Sequence, residues 1–504
     1  MDERMGHSIV VKNPANHDKV LELTATTVDE VGTTMTRARA AQVEWSRSSL
    51  AQRREALLRF RDVLVDRSES IVSTLVSETG KTRGEAYGNE LFYVCDAIGY
   101  WSKRGARFIA PKKVSVHLFK AKKVVSRYEP RGVIGIISPW NFPLVLTIGE
   151  AIPAIMAGNA VVIKPSELTP ASILEVVALL AEVPGIPSDL VQVVPGFEAT
   201  AEALIDQVDM VSFTGSVATG RKVASRAAER LIPVSLELGG KDPMIVLKDA
   251  DLERAANACV WGALMNSGQV CTSIERVYVE EPVYEEFTAK VAEKVASVRQ
   301  GGAADEADIG SMTSPIQLEK VKAHVADALD RGARVIQGGA MVPGSAGLFH
   351  EPTVLVDVNH EMAVMREETF GPVIPIMRVQ DCDEAVRLAN DSAYGLDSAV
   401  FTRDAKLGQQ VAAALETGSV CVNECLINFV ILDAPMGGRK QSGSGRRHGP
   451  EGIRKYCHQK TIVSDRFGMK NEFNWFPQGS KKGSVLRRMI RVLYRSGLAR
   501  FKKP

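Results

Sequence analysis

Apolar residues recur at three- and four-residue steps among charges from Thr27 to Trp45 and again from Ala51 to Thr79, which predicts helices across the first hundred residues, the second stopped by Gly80. From Val124 the pattern changes. Short uninterrupted apolar runs appear at Val133 to Ile137, Ala160 to Ile163, Leu190 to Val194 and Met210 to Phe213. Each reads as a buried strand. Thr169-Pro170 predicts a helix start, with Thr at the N-cap and Pro in the first turn, and Pro184-Gly185 predicts its end. Thr214-Gly215-Ser216 opens another helix through Ala228.

A second series of such units follows Gly239-Gly240. It runs through Met244 to Leu247, the helix Leu252 to Met265, the strand Arg276 to Val279 and the helix Tyr284 to Val298. Later strands are expected at Val335-Ile336, Val373 to Met377, Ala399 to Phe401 and Gly418 to Val422. Apolar strands alternating with helices indicate parallel βαβ units. The fold class is therefore α/β, with two such regions and a seam near Leu238–Lys241. No internal repeat is visible.

Composition narrows the function classes. The chain has 504 residues, 45% of them hydrophobic and 24% charged, a globular composition. A net charge of +2 makes a whole-molecule field for nucleic acid a poor reading. The charge is uneven, however. Residues 480–504 carry nine Lys/Arg and no acid, which leaves −7 for residues 1–479, and Lys103 to Arg127 holds nine more without an acid. Such blocks are ordinarily solvated faces, less often contact surfaces. Seven scattered cysteines without CxxC or zinc spacing suggest thiols in a reducing cytoplasm and no metal site. The start, MDERMGHSIVV, does not read as a signal peptide, and Pro139, Asn141 and Pro143 interrupt the longest uncharged stretch, which argues against a membrane span.

Several residues offer chemistry. Cys271 follows Asn266-Ser267-Gly268-Gln269-Val270 in a small, polar loop that a substrate can approach; a lone Cys is more often a buried small hydrophobe. Glu237 sits between Leu236 and Leu238 before two glycines, where poor solvation would raise its pKa and suit it to base work; an exposed or ion-paired strand end is the plain alternative. The Asn141 amide, in the rigid turn Ser138 to Pro143, can donate to an oxyanion or satisfy its own turn. Lys164 and Glu167 follow a strand end, where a ribose can be held. Gly215, Ser216 and Gly220 open a helix where free N–H groups suit a pyrophosphate, without forming GxGxxG.

Together these motifs resemble the aldehyde dehydrogenase superfamily, nearest to a bacterial branch assigned to succinate semialdehyde. Ser-Pro-Trp-Asn-Phe-Pro at 138–143, Lys-Pro-Ser-Glu at 164–167, Phe-Thr-Gly-Ser at 213–216, Leu-Glu-Leu-Gly-Gly-Lys at 236–241, Gly-Gln-Val-Cys at 268–271, Glu-Glu-Thr-Phe-Gly-Pro at 367–372 and Pro-Met-Gly-Gly at 435–438 occur in family order across roughly 25 to 465. The resemblance implies a Rossmann-type cofactor domain from 1–110 and 131–238, with 435–454 returning to it. It further implies a catalytic domain at 239–434, an oligomerisation arm at 111–130 and 455–466, and a basic extension at 467–504.

The resemblance also implies roles. Cys271 would be the nucleophile, Asn141 and the Cys271 N–H the oxyanion donors, and Glu237 the base for water. Trp140, Lys164, Glu167, Gly215, Ser216, Gly220, Leu238, Glu368 and Phe370 would bind the cofactor. Glu167 would accept from a ribose 2′-hydroxyl and repel a 2′-phosphate, which favours NAD over NADP. Leu146, Gly149, Thr272, Leu426 and Phe429 would face the aldehyde. A homodimer or homotetramer is implied, with alternate Val114, Val116 and Leu118 suited to an added strand.

Two departures stand out: Glu150 where many relatives carry a proton-relaying Lys, and Gly445-Arg446-Arg447-His448 where Gly-Arg-Glu is usual. No Arg stands near Leu426, Ile427, Phe429 and Val430, the expected funnel lip, although the far carboxylate of succinate semialdehyde needs a cation. A long-chain or aromatic aldehyde is thus an alternative, and Gly149 would leave it room. The tail alternates Val485, Leu486, Met489, Ile490, Leu493 and Tyr494 with Arg487, Arg488, Arg491 and Arg495, which suits either an anionic membrane surface or packing on protein. Glu237 argues against coenzyme-A-acylating relatives. A catalytically idle binding protein is the reading from another class.

Overall fold

In the computed structural model, which describes residues 8–302 and 306–495, two sheets organise residues 8–110 and 128–459. The expectations for the first residues of the chain and for Arg500, Lys502 and Lys503 lie outside the described residues. The first sheet has the order 443–444, 234–238, 210–215, 133–137, 160–164, 191–193. All its pairings are parallel except the short Gly443–Ser444 strand, which runs antiparallel to Val234–Leu238. Val133–Ile137 and Ala160–Lys164 are buried throughout, as strands covered on both faces must be. The chain winds outward from Val133–Ile137 to Val191–Val193, then returns to lay Met210–Gly215 on its other side. That reversal opens a crevice beyond the carboxyl ends of these two central strands.

The second sheet runs 334–337, 353–356, 373–379, 274–280, 242–246, 399–401, 421–422, parallel apart from the 334–337 edge. One strand of the first sheet ends at Leu238 and one of the second starts at Asp242, so the passage between sheets lies at Gly239–Lys241.

Several local expectations need correction. The described residues do not begin with helices: Ser8–Lys12 and Lys19–Thr24 form an antiparallel hairpin in which Ile9 and Val11 are buried. The long helix expected to Thr79 is two helices, Leu50–Asp66 and Ser68–Thr79, broken at Arg67, whose backbone leaves the helical region. Gly80 ends the second in the left-handed conformation that glycine adopts at little cost. Thr169 does not cap the helix Ala171–Ala181. The Glu78 carboxylate does, accepting the N–H groups of Ala171 and Ser172 at 2.6 and 3.1 Å. No local pattern announces a cap supplied from 93 residues away.

Among the described residues, 111–127 and 460–495 form a second unit. Its sheet places Lys112–Val114 antiparallel to Lys122–Pro130, with Cys457–Asp465 on the other flank. The strand ends at Val114, and Val116 to Phe119 close a turn, so Val116 and Leu118 do not continue an edge. Ser480–Ile490 is helical, continued by a wider turn over Arg491–Arg495. Among the described residues, no helix is long and apolar enough to cross a membrane.

Candidate active site

The turn from Ser138 to Pro143 leaves the strand Val133–Ile137 and enters the buried helix Pro143–Ala157. A remote carboxylate fixes it. Glu90, fully buried, accepts the free N–H groups of Leu144 and Val145 at 2.9 and 3.1 Å, doing the work of a cap. Lys81 pairs with Glu90 and donates to the Asn141 carbonyl at 2.9 Å. The Asn141 amide is held as well, donating to the Gln269 carbonyl at 2.9 Å, two residues before Cys271. Neither Lys81 nor Glu90 carried a local signal in the sequence.

The loop before Cys271 is backbone-strained. Asn266, Ser267 and Gly268 all have φ between 52° and 72°, and a Cβ on Gly268 would fall 2.1 Å from the Gly371 carbonyl oxygen. Outside contacts hold this shape: Asn266 N–H donates to Glu85 at 2.6 Å, the Ser267 hydroxyl to the Gly310 carbonyl at 2.7 Å, and the Gln269 side-chain oxygen Oε1 accepts from Thr313 N–H at 2.8 Å. Such strain persists only where neighbours over-determine it, and it aims the thiol. Gly240 serves the same end, since a Cβ there would lie 2.3 Å from the Cys271 carbonyl oxygen.

Cys271 lines two cavities at once. The first is a crevice of about 140 Å³ at the strand ends, bordered by Trp140, Asn141, Gly215, Ser216, Glu237, Leu238, Glu368 and Phe370. Trp140 and Phe370 meet edge to face there, ring centres 5.5 Å apart. Glu275 carries the segment beside them: it accepts the N–H groups of Thr369 and Phe370, both at 2.7 Å, and pairs with buried Lys241 at 2.7 Å. Glu237 Oε1 is buried without a hydrogen-bond partner. Burial pushes its carboxyl up to about 7, tempered by Arg447 and Lys455. Burial likewise pushes the Cys271 thiol up to about 12, with Asp242 and Glu237 adding to it. At rest the thiol therefore keeps its proton at neutral pH, and a proton acceptor is needed beside it.

The second cavity, about 390 Å³, is a funnel lined by Phe92, Tyr93, Phe142, Leu146, Trp261, Thr272, Leu426, Ile427, Phe429 and Val430 among others. Asp96 is its single charged residue, and there is no cation. The predicted Leu146, Thr272, Leu426 and Phe429 are all present, while the aromatic wall of Phe92, Tyr93 and Trp261 was not foreseen. Gly149 is a correction. It lies under Tyr93, whose ring would stand 3.2 Å from a Cβ there, so it positions that ring instead of opening the wall.

Lys164 and Glu167 lie in a separate groove with Phe197, Thr219 and Lys222, on the first sheet's flank. They pair at 3.3 Å, and burial lowers the Lys164 pKa. Ser216 caps its own helix, Val217–Glu229, accepting from Thr219 N–H at 3.2 Å. Gly220 borders neither cavity; its missing Cβ admits Leu238.

The two departures meet each other. Glu150 Oε1 lies 2.7 Å from Arg447, and its other oxygen takes Lys455 at 2.8 Å and the Tyr456 hydroxyl. Burial would raise the Glu150 pKa, but Lys455 and Arg447 outweigh it and hold the carboxylate well below its usual range. Arg447 also stacks over Phe429 at 5.2 Å, while His448 accepts or donates with the Tyr93 hydroxyl at 2.8 Å. A charged cluster thus sits directly behind the funnel's aromatic wall.

The model of the aldehyde dehydrogenase family matches residues 2–462. A Mycobacterium ulcerans protein provisionally named succinate-semialdehyde dehydrogenase (NADP+) 2 is 42% identical over 443 residues, 87% of this chain and 85% of the relative. A Methylomonas protein named 4,4'-diapolycopene aldehyde oxidase is 40% identical over 88% of this chain and 83% of its own length. The crystal structure of a Mycobacterium tuberculosis aldehyde dehydrogenase complexed with NAD+ superposes with a TM-score of 0.88 at 32% identity, covering 94% of this chain and 97% of that one.

Proposed function

The chain belongs to the aldehyde dehydrogenase family and is an oxidoreductase acting on aldehydes, and from that premise we propose that it oxidises an apolar aldehyde to the carboxylic acid through a thioester on Cys271. The observation that carries this reading is the thiol's place on the shared floor of crevice and funnel.

The residues fit a nicotinamide cofactor. Trp140 and Phe370, set edge to face, form an apolar corner, Glu368 offers a carboxylate to ribose hydroxyls, and Gly215 and Ser216 border the strand-end crevice. In the flank groove Lys164 and Glu167 suit the adenosine ribose. Glu167, accepting from a 2′-hydroxyl and repelling a 2′-phosphate, favours NAD over NADP; the Mycobacterium ulcerans relative's name favours the reverse. When bound, the nicotinamide supplies an acceptor for two electrons as hydride.

The protein's own groups do the rest. Cys271 gives its proton to Glu237, and the thiolate adds to the carbonyl carbon, forming a C–S bond. The oxyanion is held by the Asn141 amide and the Cys271 N–H, each donor contributing about 3–4 kcal/mol. Hydride departure restores the carbonyl as a thioester. Glu237 passes the thiol's proton to solvent and, again a carboxylate, takes a proton from water, whose oxygen adds to the thioester carbon. The C–S bond then breaks, releasing acid and thiolate. Leu146, Val270, Leu426 and Phe429 keep bulk water from the reacting carbon.

The substrate reading follows from charge. A far carboxylate would meet Asp96 and no cation in the funnel. Succinate semialdehyde, in the names of two relatives, is the second reading; the Methylomonas name, by contrast, points to a polyene aldehyde. The protein is further proposed to act in the cytoplasm, where seven cysteines without a disulfide suit a reducing compartment, as a homodimer or homotetramer. A panel of succinate semialdehyde, a long alkanal and benzaldehyde, compared by kcat/KM, tests the choice. The apolar pair is expected to lead by about tenfold or more; a lead for succinate semialdehyde overturns it. Mass spectrometry of trapped turnover should find an acyl group on the Cys271 peptide.

A further inference from the structure

The charge of the chain is divided by unit. Residues 111–127 and 460–504 hold eighteen Lys/Arg against Asp465 and Glu472, a net of +16, so the rest of the chain carries −14 of the total +2. Lys122 pairs with both acids, at 2.8 Å with Asp465 and more closely with Glu472, so one side chain engages both. The same unit exposes large apolar side chains in unusual density. Phe467, Met469, Phe473, Trp475 and Phe476 precede the helix, Phe476 being 84% exposed. Along the helix and its extension Val485, Leu486, Met489, Ile490, Val492, Leu493 and Tyr494 are 38 to 66% exposed, and nothing in 480–495 is buried.

The two kinds of residue are sorted by side. At helical spacing Val485, Leu486, Met489, Ile490 and Leu493 share one face, and Arg487, Arg488, Arg491 and Arg495 the other. Lys482 ties the preceding segment to the helix by donating to the Trp475 carbonyl at 2.6 Å. We propose that this unit docks on an anionic lipid surface, the helix lying in the interfacial plane with its apolar face and the Trp475–Phe476 pair in the headgroup region and its arginines among lipid phosphates. Charge complementarity selects the occupant: arginines at the edge of an apolar face match a layer that is anionic above and apolar below. A nucleic acid would neutralise the arginines but leave Leu486, Met489 and Ile490 in water.

The test is co-sedimentation of the full-length protein with vesicles of phosphatidylcholine alone or of equimolar phosphatidylcholine and phosphatidylglycerol. The expected result is about tenfold or more enrichment on the anionic vesicles, reduced by salt. Arg487→Glu/Arg488→Glu/Arg491→Glu and, separately, Leu486→Glu/Met489→Glu should each abolish it, with benzaldehyde oxidation unchanged as proof of a folded enzyme. Equal recovery in the supernatant with both vesicles overturns the proposal. So does dissociation of the oligomer by either variant without any vesicle binding, which would assign the face to a second copy of the chain. Neither outcome touches the reaction at Cys271, which is read from the activity control.

Discussion

The crevice and the funnel share Cys271 and are otherwise opposites. The crevice carries Glu237 and Glu368, both pushed by burial up to about 7, beside aromatic rings and strand-end backbone. The funnel is almost wholly apolar, its wall built by Phe92 and Tyr93 of one helix, Trp261 of another and the 426–430 segment. The difference shows how one chain separates reaction from recognition. Groups that move protons are poorly solvated and held by backbone strain or remote carboxylates. Groups that select the aldehyde are rings and methyl groups, cheap to exchange without disturbing the chemistry.

The largest effect should come from the shared atom. Cys271→Ala is expected to lower kcat roughly 10³-fold or more with every aldehyde, since no other nucleophile borders both cavities. Residual turnover near wild type would break the comparison at its root. Next comes Glu237→Gln, which should lower steady-state kcat about 10²–10⁴-fold, slowing the acylating first turnover as well as deacylation, because both steps hand a proton to this carboxylate. Its titration gives a sign. Below pH about 7 the carboxyl is protonated and cannot accept a proton, so kcat should fall about tenfold per pH unit on the acid side. A flat profile from pH 5 to 7 would remove Glu237 from the role.

The two cavities also differ in how far the sequence exposed them. The crevice follows from local rules: apolar runs announce the strands, Pro139 and Pro143 the turn, and the glycines at 239–240 the seam between the two α/β regions. The motif resemblance supplied their meaning. The funnel drew on residues 88–96, 142–146, 261–272 and 426–430, which periodicity places on separate elements but cannot bring together. Tyr93 is illustrative: on its helix it is one apolar position among many, and only the Gly149 beneath it and the His448 beside it make it a wall. Glu78, Glu90 and Lys81 escaped for a related reason. A charged residue at helical spacing reads as solvated until the fold buries it against free N–H groups. The departures at Glu150 and Arg447 were visible singly, yet their pairing at 2.7 Å is a tertiary fact.

A smaller and more discriminating change tests the funnel. Val430 lines it and is about half exposed, so a long side chain can reach inward without entering the core. Val430→Arg should raise kcat/KM for succinate semialdehyde about 10-fold relative to a long alkanal, mostly through KM, because a cation now meets the far carboxylate. Competition from Asp96 for the new guanidinium would blunt the gain, and Asp96→Asn in the same chain should restore it. If neither variant shifts the ratio, charge in the funnel does not govern recognition.

The smallest expected effect lies on the cofactor side and asks whether specificity there is also separable from chemistry. Glu167 is half-buried, pairs with Lys164 at 3.3 Å, and lies in a groove that also holds Lys222. Glu167→Ser removes the carboxylate that repels a 2′-phosphate and frees Lys164 to meet one. The NADP-to-NAD ratio of kcat/KM should rise by about 3- to 10-fold, carried by KM for the cofactor. The pH profile set by Glu237 should stay where it was, because the two carboxylates belong to different cavities. A shift in that profile would mean that the groove and the crevice are coupled, and the division between selecting and reacting would then hold on the aldehyde side alone.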